Sequence, residues 1–374
     1  MLTLPDKDRT MDPRQQFCPN FYCLHRGKPG QGNIRIHSRK DRRFRCTTCG
    51  RAFTATRNTP LYRLHKPHPA FALVLTLLAH GCPLQAVVEA FGIDERTVAA
   101  WQQKAGRHCQ RFHEPRVGRG RVDAQHVQAD ALSAKMVGRR VWVAMALAVP
   151  SRLWLGGVIS RRRDGRPIAA LVAAVKACLT TLAILVCVDG LARYVTAFVR
   201  PFRHKEPRRG RRGRCRLTVE PGLLIGQVVK QRVGGRVVGV VRRVARGTAA
   251  AVAAVLARTG TGSGVNTAYI ERLNATFRGC LAGLVRRGRA LLRQEGRLRA
   301  GMYLVGCVYN WCRAHAGLGD GGRTPAMAAG LTGHRWEVGE VLAARLPPAQ
   351  WKAPRRKPRR RGRIAKRTRW AAVA

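Results

Sequence analysis

The chain has 374 residues, of which 71 are Lys or Arg and only 19 are Asp or Glu, giving a formal net charge of +52. Charge this one-sided predicts a polyanionic partner, nucleic acid first, and argues against a cationic one. A hydrophobic content of 45% suffices for real cores over two or three domains, while no apolar run reaches the eighteen or so residues that a membrane span requires.

Residues 1–16 read as a loose leader without the apolar stretch of a secretion signal. A cytoplasmic, reducing setting is therefore expected, and the twelve cysteines are read as metal ligands or buried thiols rather than disulfides. Residues 17–62 carry two pairs, Cys18-x4-Cys23 and Cys46-x2-Cys49, about two dozen residues apart. Zinc takes four thiolates in a tetrahedron, and two tight turns supply them pairwise. Gly50 follows the second pair, where a knuckle needs positive φ. The spacing predicts a zinc ribbon with structural Zn2+ on Cys18, Cys23, Cys46 and Cys49. His25, His37 and His65 are weaker candidate ligands, and the other eight cysteines, scattered among apolar residues, are expected in cores.

Residues 66–112 predict three helices, FALVLTLLAHG, PLQAVVEAFG and DERTVAAWQQKAGRH, separated by Gly81 and Gly92. Leu84, Val87, Val88 and Phe91 form an apolar face, and Asp94 is the expected N-cap of the third helix. A short Gly turn between the last two is the helix-turn-helix pattern. It would expose Arg96, Gln102, Gln103 and Arg107 for base reading, since Arg reads guanine and Gln reads adenine bidentately. An ordinary three-helix bundle with a solvated polar face is the alternative.

Residues 113–125 read as a linker. From His126 the period changes: HVQAD, RRVWVAMALAV and RLWLGGVIS predict three strands, a helix follows from Pro167 to about Leu179, and LAILVCVD predicts a buried strand. This β-β-β-α-β order predicts an α/β domain over residues 122–335. Residues 200–216 form a basic insertion; LLIGQVV and RVVGVVRRV suggest two strands and TAAAVAAVLA a helix. TGTGSG, at 259–264, lacks the Lys of a phosphate loop and is expected to feed the next helix. A helical stretch runs from about Thr267 to Gly317, broken near Gly296 or Gly301, and residues 336–374 form a basic tail.

In a chain so poor in acids, three carboxylates need a reason. Asp130 alternates with Val127 and Ala129 and so faces away from them. Asp189 ends a buried strand, where ligands of open α/β sheets gather. Glu271 sits near a helix N-terminus whose packing stripe is Ile270, Leu273, Phe277, Leu281 and Leu284, with Asn274 and Arg278 on its own face. A divalent-metal site of Mg2+ or Mn2+ on Asp130, Asp189 and Glu271, facing a polyanion, is the expectation. The alternative for each is an Asp pairing with one of the many arginines, or a helix-end Glu; Asp123 is the main rival for the first position.

The chain resembles bacterial insertion-sequence transposases of the DDE type. The resemblance rests on CPNFYC…RCTTCGRAFTATRNTPLY, FGIDERTVAAW, QAD, VDG, YIERLNATFR, YNWCRAH and RTPAMAAG, over about residues 17 to 335. It departs at Ala131, where relatives often carry an acid, and in the long gap between Asp189 and Glu271. The resemblance implies an RNase H-like catalytic core, a mixed sheet with flanking helices, in which Asp130, Asp189 and Glu271 are catalytic metal ligands and Asn274 and Arg278 orient substrate or ligand. It implies cleavage of double-stranded DNA at element ends by water, then strand transfer by the freed 3′-hydroxyl, and a homo-oligomer on the DNA. A DNA-binding protein without catalysis (a decayed transposase or a repressor) and a nuclease that cuts but cannot join remain alternatives.

Overall fold

The computed structural model describes residues 11–65, 67–162, 164–206, 215–285, 293–319 and 321–348. Strands β1 (Ile34–Ser38), β2 (Arg43–Cys46) and β3 (Ala52–Thr54) pair antiparallel in that order. They enclose a small core of Met11, Ile34, Phe44 and Phe53 together with cysteines 18, 23 and 46. Residues 11–16 belong to this unit rather than to a loose leader: Met11 is buried, and Pro13–Gln15 form a 3-10 turn capped by Asp12. Residues 1–10 lie outside the described residues.

Helices α1 (His68–Ala79), α2 (Leu84–Phe91) and α3 (Glu95–Val117) follow. Gly92 closes α2 at φ 58°, and the Asp94 carboxylate accepts hydrogen bonds from Arg96 N at 2.9 Å and Thr97 N at 3.2 Å, as its position predicts. The expected linker at 113–125 is shorter than its composition implies, because α3 continues through Pro115 to Val117. An interior proline costs roughly 3 kcal/mol. Burial of Phe112, His113 and Val117 offsets it, with Phe112 set edge-on against both Trp311 and Trp336.

The main sheet contains β4 (His126–Met136), β5 (Arg139–Ala148) and β6 (Leu153–Ser160). After α4 (Gly165–Cys178) come β7 (Leu185–Asp189), α5 (Ala192–Val199), the short pair β8 (Arg203–Glu206) and β9 (Arg216–Val219), then β10 (Leu224–Val233) and β11 (Arg236–Arg246). Six strands form a mixed sheet in the order β11-β10-β7-β4-β5-β6. Strand β7 runs parallel to both β4 and β10, and the remaining pairs are antiparallel. The basic insertion thus has an antiparallel pair at its base, β8 with β9; residues 207–214 lie outside the described residues.

Helices α6 (Ala249–Thr259), α7 (Ala268–Cys280) and α8 (Glu295–Cys307) complete the layers. Leu185, Cys187, Leu224 and Val228 pack against Val252 and Leu256 of α6. The alternate residues Val127, Ala129, Val186 and Val188 enter the main core with Leu171, Val172, Tyr194 and Phe198 of α4 and α5. The break expected near Gly296 or Gly301 lies elsewhere: α7 stops at Cys280, α8 starts at Glu295, and both glycines are inside α8. The glycines nearby serve close packing. A Cβ on Gly306 would stand 2.1 Å from the Trp154 ring, and one on Gly106 of α3 would stand 2.1 Å from the Ala300 carbonyl oxygen of α8. One continuous core consequently runs from α1 and α3 through α8 to the sheet.

Two short helices, α9 (Pro325–Ala328) and α10 (Val338–Ala343), end the described chain. Residues 336–348 are packed rather than tail-like: Val341, Leu342 and Leu346 are buried. Arg345 reaches back to the three-stranded unit, donating to Gln16 Oε1, Phe17 O and Arg57 O and lying over the Phe17 and Phe53 rings at 4.4 and 5.0 Å. The basic run of residues 349–374 lies outside the described residues.

Candidate active site and metal centre

The four cysteines converge as their spacing predicts. Cys18 and Cys23 come from one turn, Cys46 from the end of β2 and Cys49 from the turn before β3. Their sulfurs all lie within 4.8 Å of one another, with Cys18–Cys49 at 3.6 Å and Cys23–Cys46 at 3.8 Å. Tetrahedral zinc with bonds of about 2.3 Å sets its sulfurs about 3.8 Å apart, so the quartet could hold a metal ion such as zinc. Gly50 adopts φ 68°, the conformation expected of it. Asn33 Nδ2 donates to Cys46 Sγ at 3.2 Å, which orients one ligand. His25 is engaged with Thr48 Oγ1 at 3.0 Å instead of joining the sulfurs. Of the eight remaining cysteines, 109, 178, 187, 307 and 312 are buried as expected, 82 and 280 are half-buried, and Cys215 is exposed.

The three carboxylates arrive from three separate elements. In the parallel pair β4–β7, Gln128 stands beside Cys187 and Ala129 beside Val188, so Asp130 and Asp189 sit at the next step on adjacent strands. Neighbouring strands lie about 4.8 Å apart. Asp189 in turn pairs with Val228 of β10. Helix α7 is pinned across this face. Gln128, fully buried, donates to Asn266 O at 2.9 Å and accepts from Ile270 N at 3.0 Å. That anchor fixes the first turn of α7 over β4 and leaves Glu271 within reach of Lys230 on β10. Asn274, one turn further on, donates from Nδ2 to Asp130 Oδ2 at 2.8 Å. The expected stripe of Ile270, Leu273, Phe277, Leu281 and Leu284 is buried throughout, and Arg278 follows Asn274 by one turn on α7.

The electrostatics record the convergence. The Asp130 carboxyl is pushed up to about 6, first by burial and then by the negative charges of Asp189 and Glu271; the Ala131 N–H and Lys230 act in the opposite sense. Burial and the charges of Asp130 and Asp189 also raise the phenol of Tyr194, whose ring is fully buried in α5. Glu271 Oε1 accepts from Lys230 Nζ at 2.8 Å and from Thr267 Oγ1 at 3.1 Å. Glu271 thus stands in the first turn of α7 and is paired with a lysine from β10. Among the described residues the cysteines are the one group of three or more metal-binding side chains already gathered tightly enough for an ion. The carboxylates share a face and sense one another without closing to that degree.

Asp123, the rival for the first position, and two further acids have other roles. Asp123 accepts from Gln125 Nε2, Asp164 caps α4 through Arg166 N, and Glu206 lies 4.0 Å from His204. Within YNWCRAH, Asn310 clasps the backbone of Trp154 with two 2.9 Å hydrogen bonds, and the ring of Tyr309 meets His315. On α3, Arg96 and Arg107 are exposed and Gln102 and Gln103 half-buried. Residues 96, 103 and 107 share one face at helical spacing, whereas the Gln102 amide turns toward Gly301 of α8.

Lys230, Gln128, Thr267 and Tyr194 escaped sequence reasoning. Lys230 falls on the same face as Val228 by alternation, but its position opposite Glu271 depends on the order of strands. Gln128 carried a usable signal, a polar residue two before Asp130 in an apolar strand. No protein-family model matches the chain, and no curated protein matches it either.

Proposed function

We propose that the chain is a DNA transposase of the insertion-sequence DDE type, with an RNase H-like core carrying the chemistry and a zinc ribbon and helix-turn-helix binding element ends. The observation that supports this reading is that Asp130 lies near enough to Asp189 and Glu271 to feel both charges, in a chain of net charge +52. An acid on the central strand, a second on its parallel neighbour and a third on a crossing helix fit such a core. The donor set suits hard divalent cations: it is all oxygen, and Asp130 bears a raised carboxyl beside two like charges. Mg2+ or Mn2+ held by Asp130, Asp189 and Glu271 would supply charge neutralisation at a scissile phosphate and lower the pKa of an attacking water.

The chain's own residues divide the remaining work. Asn274 orients Asp130, Gln128 and Thr267 set the reach of Glu271, and Lys230 holds Glu271 until cations enter. In the proposed reaction water attacks phosphorus and the bond to the 3′ oxygen breaks, leaving a 3′-hydroxyl. That hydroxyl then attacks a target phosphodiester, joining to the target's 5′-phosphate as the bond to the target's 3′ oxygen breaks and leaves a 3′-hydroxyl there. Arg96, Gln103 and Arg107 present the exposed side of α3 to a DNA groove.

Cleavage and strand-transfer assays on the element's terminal repeats with Mg2+ or Mn2+ test this. Asp130→Ala, Asp189→Ala and Glu271→Ala should each abolish cutting, by at least about 100-fold, while sparing duplex binding. Full activity in any one variant overturns that residue's role. Cutting without joining assigns a nuclease, and binding without either leaves a non-catalytic DNA-binding protein.

A further inference from the structure

The sheet does not end at the carboxylates. Strands β10 and β11 continue past them as a two-stranded ribbon whose turn, Gly234 and Gly235, has φ values of 58° and 81°. Positive φ at both positions is the tight hairpin turn that keeps strands paired to the tip. From Lys230 to Arg243 every residue is exposed except Gly239, so neither face of the ribbon is covered. Val233 is 69% and Val238 is 63% exposed. A two-stranded ribbon with no packed face is marginal in water, and valines left open along it call for a partner. Residues 229–246 contain Lys230, Arg232, Arg236, Arg242, Arg243 and Arg246 and no acid. Two copies pairing through this edge would face like charges; a polyanion would not.

We propose that the β10–β11 hairpin enters a groove of duplex DNA beside the carboxylates, holding the strand to be cut. This rests on the reading of the chain as a DNA-acting enzyme. The ribbon starts at the site itself, with Val228 paired to Asp189 and Lys230 joined to Glu271. Four residues from Lys230 to the tip span about 13 Å at strand rise. Two strands side by side fit the roughly 12 Å major groove. Gln231 pairs with Gly239 but Arg232 with Val237, so Val238 is an extra, bulged residue. A bulge adds twist, which suits a ribbon following a helical groove.

The test uses the full chain and a 5′-labelled duplex of about 30 base pairs, followed by anisotropy between 50 and 200 mM salt. Arg232→Ala/Arg236→Ala should weaken binding at least tenfold and flatten the log–log salt dependence by about 2, near 0.9 for each phosphate no longer neutralised. A photo-crosslinking residue at position 238 should label the duplex in the otherwise unchanged protein, so a poorly folded double variant does not decide the matter. Unchanged affinity and slope with no crosslink overturn the proposal while the DNA reading stands. Loss of a dimer by light scattering with duplex binding unaltered also overturns it, assigning the edge to a second copy. If the unmodified chain binds no duplex, the DNA reading itself falls, and this proposal with it.

Discussion

Asp130 shows how a single side chain reports on its surroundings. Its carboxyl lies near 6 in the folded chain against an ordinary value of 3.8, so the fold favours the protonated form. The stabilising contribution is complete below about 3.8 and is lost as pH rises through about 6. At neutral pH the charged form therefore costs on the order of 2–3 kcal/mol. Asp130→Asn should raise the unfolding free energy of the metal-free protein by about 2 kcal/mol at pH 7.5 and by much less at pH 4. Urea melts at the two pH values check this, and a variant destabilised equally at both would refute it. Added Mg2+ should stabilise the parent at pH 7.5 and have little effect on the variant, because binding to the folded state alone shifts the equilibrium. The Asn274 amide, donating to Asp130 Oδ2, orients that carboxyl.

At the scale of elements, α3 and α8 approach closely. Gly106 meets the Ala300 backbone, which cannot turn aside as a flexible side chain could. In an exposed helix Gly→Ala stabilises by up to about 1 kcal/mol. Gly106→Ala should do the reverse, destabilising by about 2 kcal/mol or more because overpacking forces the helices apart. Chemical denaturation gives the sign directly. Pro115 is another case in which packing overrides local preference, as α3 runs through it to bury Val117. The three-stranded unit hangs on smaller resources, namely its four cysteines, a few apolar residues and the Arg345 clasp. A core this small is marginal without a staple. If the quartet holds zinc, a chelator should unfold residues 11–65 first while the main sheet persists, read as early loss of hydrogen-exchange protection in that segment alone.

For the whole molecule, net charge dominates. Neutralising six to ten phosphates costs about 10³- to 10⁵-fold in affinity between 50 and 200 mM salt. DNA binding by the full chain should fall at least about 10³-fold over that range, and a flat response would contradict a nucleic-acid partner. No helix among the described residues is long and apolar enough to cross a membrane. The charge is opposed at few places, and Asp130 and Asp189 on adjacent strands make that spot unlike the surrounding surface. Sheet order creates this contrast: β7 lies between β4 and β10, which brings Asp130, Asp189 and Lys230 side by side from positions far apart in the chain.

Local chemistry determined a good deal unaided. Cysteine spacing foretold the quartet, Asp94 announced the start of α3, and alternation in β4 set Asp130 opposite Val127 and Ala129, because each depends on residues within one or two turns. The three carboxylates were legible as scarce acids, but HVQAD is no short strand ending at Asp130: β4 runs on to Met136. Other features were decided only by tertiary structure. The continuation of α3 through Pro115, the place of Gly296 and Gly301 inside α8, and the ordered stretches at 11–16 and 336–348 follow from partners distant in sequence. Lys230 belongs to this second group, since its meeting with Glu271 needs the β7–β10 pairing and the anchoring of α7 by Gln128 at once. Periodicity assigns a residue to a face; only the assembled sheet decides what stands across from it.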